Sequence, residues 1–207
     1  MNRLPGSALA LLTAAGLGCG DASELTVVPS AAEAVDAIPE DLGRPTRRMN
    51  LDQLKATMEQ VSGGIGWTEE RDGQTVDLFE QLSVTLGRPD YLSTTHEDLV
   101  PGLLFQKFLG DAALSICPKL VAEDPDRDQS QRALFIHGEV DDLQPQVVEA
   151  NLSAALLRFH GRSAAPGDPA LQPWIQLHAD AAARSTPERA WTAVCVALFT
   201  HPDFYSI

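Results

Sequence analysis

The chain has 207 residues, with 15 Lys and Arg against 29 Asp and Glu, a formal net charge of −14 at neutral pH. So acidic a balance repels nucleic acid and anionic lipid, and neither is expected as the main partner. Removing an export signal and a tether leaves about 160 residues, enough for one domain with its own core.

Residues 1–20 read MNRLPGSALALLTAAGLGCG. Arg3 is a basic start, residues 8–17 an apolar run without charge, and Gly18-Cys19 a small-residue cleavage site whose cysteine becomes the lipidated first residue. The run is too short and too glycine-rich for a comfortable membrane span. The expectation is a signal peptide over 1–18 and a lipoprotein facing the bacterial periplasm. Gly20 in place of Asp after the cysteine resembles the pattern of Gram-negative lipoproteins sent to the outer membrane. The alternative is ordinary cleavage after Ala14-Ala15-Gly16, which would release a soluble protein.

Residues 19–46 then mix acids, Ala, Ser and prolines without helical or strand period, and read as a flexible acidic tether. From 47 to 207 the pattern is helical. Asn50 with Gln53 forms a capping box ahead of Leu51, Leu54, Met58 and Val61, and Gly63-Gly64 stops that helix. A second helix is expected over 76–86. Thr94 with Glu97 suggests another box, Pro101 a break, and 102–117 a strongly apolar helix that Pro118 ends or kinks. Pro145 opens a helix to His160, a shorter one follows near 170–184, and Ser185-Thr186-Pro187-Glu188 opens an apolar helix to Thr200. Only 134–136 hints at extended structure. The fold class is therefore all-α, a single compact bundle of about six helices.

Asn151-Leu152, the run Arg158-Phe159-His160-Gly161-Arg162, and His201-Pro202-Asp203-Phe204-Tyr205 resemble segments of uncharacterised myxobacterial envelope lipoproteins. More distantly they are similar to helical domains of planctomycete-type cytochrome c-associated proteins. The resemblance implies a helical envelope domain from about residue 47 and a redox enzyme as one possible partner; it assigns no activity. Cys19, Cys117 and Cys195 stand far apart, so no Cys-x-x-Cys-His is present to hold covalent haem.

The best metal candidate is Asp124-Pro125-Asp126-Arg127-Asp128, three carboxylates at alternating positions as in a calcium loop. Calcium is the ion it would take, although Gln129 stands where an EF-hand needs Gly and Phe135 where it needs Glu. Glu139, Asp141 and Asp142 could complete such a site; the plain alternative is a solvated acidic loop. None of the five histidines has an i, i+4 partner. His160 and His201 are expected to donate to the last carbonyls of their own helices, and a composite site from distant histidines stays open. Trp67, beside Glu69 and Glu70, is a candidate anchor for a partner.

No Gly-x-Ser-x-Gly elbow, phosphate loop or dinucleotide fingerprint is present. The leading expectation is a lipid-anchored periplasmic accessory or scaffolding subunit that docks a protein partner. The alternative is a metal-assisted hydrolase using the acidic loop and a composite histidine site. In an oxidising compartment Cys117 and Cys195 are left as a pair, each on an apolar helix, and a disulfide between them is expected. Two buried free thiols are the alternative.

Overall fold

A computed structural model describes residues 47–89, 92 and 95–207. The signal peptide, the Cys19 lipidation site and the tether all lie outside the described residues. The described chain is mostly helical, in the order α1 (Leu51–Val61), β1 (Thr68–Arg71), β2 (Gln74–Asp77), α2 (Leu78–Ser83), α3 (Leu103–Glu123), α4 (Pro145–His160), α5 (Gln172–Ala182), α6 (Pro187–Thr200) and α7 (Pro202–Tyr205). Among the described residues no helix is long and apolar enough to cross a membrane.

Helix α1 starts as its sequence dictates. The Gln53 N–H donates to Asn50 Oδ1 at 2.8 Å and the Asn50 N–H to Gln53 Oε1 at 3.2 Å, which satisfies two of the donors that a helix start leaves unpaired. Leu51, Leu54, Met58 and Val61 are its buried face.

The helix expected over 76–86 begins later, because residues 68–77 form an antiparallel hairpin with Arg71 opposite Gln74. Its two-residue loop is Asp72-Gly73, with φ of 52° and 76°. That pair of left-handed conformations matches the twist of the flanking strands, and Asp-Gly is among the dipeptides that adopt it most easily. Asp77 then caps α2 by accepting the Glu80 N–H at 3.0 Å. The segment 134–136, expected to be extended, joins no strand.

Helix α3 runs past Pro118 to Glu123 rather than ending there. The proline removes only the bond to the Leu114 carbonyl, and Leu114 lies on the exposed side, where water can take that acceptor. The opposite side, including Phe105, Phe108, Leu109, Ala112, Ile116, Cys117 and Leu120, is buried. Helix α6 packs along it, and a disulfide joins Cys117 to Cys195 with Cα atoms 5.7 Å apart. Both cysteines are fully buried, so the bridge pins the two most apolar helices at the centre of the core.

Edge-to-face aromatic pairs fill the space on either side. Trp67 and Phe79 each meet Phe108 at about 5 Å between ring centres, and Phe199 meets Phe159 and Phe204. The two ends of the described chain are also tied together: the Met49 N–H donates to the Tyr205 carbonyl at 2.7 Å and the Ile207 N–H to the Arg47 carbonyl at 2.9 Å.

Candidate functional site

The acidic loop is organised by hydrogen bonds from its own backbone to Asp124. Asp124 is fully buried, with Oδ1 accepting the Ala133 N–H at 2.7 Å and Oδ2 accepting those of Leu134 and Phe135 at 2.8 and 3.0 Å. Asp126 and Asp128 point outward and are exposed. The expected trio Asp124, Asp126 and Asp128 therefore does not converge, because its first member is consumed as the acceptor for three buried N–H groups that would otherwise lack a partner. Glu139, proposed to complete the site, pairs with Arg132 at 3.0 Å.

Trp67 is likewise not an exposed anchor. It is 6% exposed and stands edge-on to Phe108, because the hairpin that follows turns Glu69 and Glu70 outward and lays the tryptophan on α3.

The residues that do come together are three that the sequence left scattered. His160 ends α4, where Gly161 at φ 65° reverses the chain. His201 stands at the corner between α6 and α7, and Asp203 lies in the first turn of α7. One ligand atom from each lies within 4.8 Å of the other two, and this is the one such grouping of three or more metal-ligating side chains among the described residues. The two imidazoles stack at 4.9 Å between ring centres. Trp174 of α5 closes on both, 5.5 Å from His160 and 5.7 Å from His201.

Each of the three is held by a further group. His160 Nε2 lies 2.9 Å from the Leu198 carbonyl. A carbonyl only accepts, so Nε2 carries the proton and Nδ1 presents its lone pair. That Nδ1 is buried and has no hydrogen-bond partner. The expected bond to a helix-end carbonyl thus exists, but to the last turn of α6 and not of its own helix. Burial pushes the His160 pKa down, opposed by the bond to Leu198, so the imidazole is held neutral. His201 Nδ1 accepts the Asp203 N–H at 3.1 Å, the N-cap of α7, where its expected role was donor to a carbonyl. Arg162 donates to Asp203 Oδ2 at 2.8 Å and holds that carboxyl below the usual carboxylate range.

Through His201 the cluster borders a cavity of about 550 Å³, lined by the apolar Ala170, Pro173, Trp174, Leu177, Ala197 and Pro202 and by the polar Arg162, Thr200 and His201. Thr200 is no free nucleophile, since its hydroxyl donates to the Val196 carbonyl at 2.8 Å. A mostly apolar lining with a few polar groups is the usual make-up of a binding groove.

Comparison of the chain with protein-family models, with curated proteins and with solved structures finds no match.

Proposed function

We propose that this chain is an exported, lipid-anchored accessory subunit of a bacterial envelope complex, a single compact bundle held by its tether at the periplasmic face of the outer membrane. It docks a partner protein through the groove between α5, α6 and the α6–α7 corner. The observation that carries the docking reading is the groove itself, with Trp174 and Leu177 half-buried in its wall. A half-buried aromatic beside open apolar surface is the arrangement that receives an anchor side chain. The net charge of −14 favours a partner with a basic surface. The fitting occupant is a polypeptide that inserts an apolar side chain among basic neighbours, and the resemblance to cytochrome-associated proteins makes a redox enzyme the first class to test.

Support for export is twofold. Gly18-Cys19 closes the amino-terminal apolar run, and a structural disulfide such as Cys117–Cys195 is characteristic of compartments where thiols oxidise.

The experiment is affinity purification of the full chain after detergent extraction, beside Cys19→Ser and Leu177→Asp. A partner recovered with wild type and lost with Leu177→Asp, in a variant whose circular dichroism is unchanged, supports docking at the groove. Equal recovery from both removes it. Cys19→Ser should leave the membrane fraction, and undiminished membrane recovery contradicts the anchor.

A second reading, the metal-assisted hydrolase, is favoured by the meeting of His160, His201 and Asp203, of which His201 lines the groove, and it moves from the acidic loop to that cluster. It requires turnover that depends on added metal and disappears with Asp203→Asn.

A further inference from the structure

We propose that His160, His201 and Asp203 form a site for a borderline divalent cation of the zinc class. The inference goes beyond the docking reading and does not rest on it.

The argument starts at His160. A buried polar atom without a partner costs free energy, and His160 Nδ1 is such an atom. Its tautomer is fixed by the bond from Nε2 to the Leu198 carbonyl, so what Nδ1 offers is a lone pair. A neutral imidazole that donates one ring N–H to a backbone carbonyl and presents the other nitrogen bare is the arrangement that outer groups impose on a metal-bound histidine. Asp203 is prepared in the same way. Arg162 engages Oδ2 at 2.8 Å, while Oδ1 lies 3.8 Å from His201 Nδ1, leaving one oxygen to bind and one to be steered.

The donor set then selects the ion. Two imidazoles and one carboxylate suit zinc and its first-row neighbours, whereas calcium and magnesium prefer shells of oxygen. Ligand atoms within 4.8 Å of one another must draw in to about 3.4 Å for a tetrahedral shell with bonds near 2.1 Å. Rotation of the two partly exposed groups, His201 and Asp203, supplies that movement, because His160 is the fixed member. One local bond opposes it. If His201 ligates through Nδ1, the cation displaces the Asp203 N–H, whose 3.1 Å contact caps a helix of only four residues. Three protein donors leave a fourth position for water or for a ligand in the groove.

Zinc chloride alone is the probe. Untagged full-length protein, stripped with chelator and dialysed, is titrated calorimetrically and by tryptophan fluorescence, since the Trp174 ring lies tilted against both histidines, 5.5 and 5.7 Å from their centres. The expected result is one saturable equivalent of zinc with a change in emission. Asp203→Asn should weaken it at least tenfold, His160→Gln should abolish it, and Asp126→Asn with Asp128→Asn should leave it unchanged. Asp203 is partly exposed, so its variant keeps the test decisive if His160→Gln does not fold. No saturable binding to wild type, or binding undiminished in Asp203→Asn, overturns the proposal. Loss in the Asp126 and Asp128 double variant also overturns it, by returning the ion to the acidic loop. Zinc binding without a captured partner contradicts the docking reading and leaves this one standing.

Discussion

Arg48, only 2% exposed, donates through Nη1 to Glu97 Oε1 at 2.5 Å, joining the start of the described chain to the loop ahead of α3. The same carboxylate accepts the Leu51 N–H at the first turn of α1, and the guanidinium lies 4.9 Å over the Phe105 ring. Removing one member strands the other charge in a buried place, a loss of about 3 to 5 kcal/mol. Glu97→Gln should therefore lower the unfolding free energy by about 3 kcal/mol, measured by urea denaturation. The double variant with Arg48→Met should lose less than the two single losses added together.

The disulfide closes a loop of 78 residues. In the chain-entropy account this stabilises the fold by about 4 to 5 kcal/mol. Replacing both Cys117 and Cys195 by Ala should remove that amount in equilibrium unfolding. Alkylation of denatured, unreduced protein from the native compartment should label neither cysteine; two labelled thiols at these positions contradict the bridge.

Asp124→Asn keeps one acceptor oxygen where three backbone N–H groups now find two. Each buried donor left unpaired costs about 1 to 3 kcal/mol, so this change should destabilise by at least that amount. Added calcium should not raise the melting temperature of wild type. A calcium-dependent rise lost on Asp126→Asn would restore the metal reading of this loop.

Helix positions that carry both a cap and an apolar period were legible. Asn50 with Gln53, Pro145, and Thr186 with Pro187 each mark a helix start found at that place, and two apolar helices each bearing a cysteine gave the disulfide. The hairpin was also written locally, as Asp72-Gly73 between short polar runs, but its strands are two-sided and exposed and lack the alternation that marks a half-buried strand. Pro118 does not end α3, because a proline's cost depends on whether water can reach the freed carbonyl, which only tertiary structure decides. The site was the least legible. Its residues come from two segments 41 positions apart, His160 and His201-Pro202-Asp203, and the αL turn at Gly161 with the α6–α7 corner brings them together. Trp174 is added from α5, and no spacing rule connects it to either.

His178 gives a pH signature. It is 4% exposed beside Trp191, its Nε2 has no partner, and burial pushes its pKa below 6.5. The unfolded chain then binds more protons than the folded one between the two pKa values. This share of stability is complete above about pH 6.5 and falls as the pH drops through the lower folded value, by at most about 1.4 kcal/mol per pH unit for one proton. His178→Gln should flatten that part of the pH profile of unfolding; an unchanged profile contradicts it.

The most direct test of the docking account places a photo-crosslinking amino acid at residue 177 in the full-length chain expressed in its own host. A second copy of the experiment places it at exposed Ser130 on the acidic loop. The account predicts one discrete crosslinked polypeptide from position 177 and none of that size from position 130. No adduct from 177, or the same adduct from both positions, contradicts a partner seated in the Trp174 and Leu177 groove.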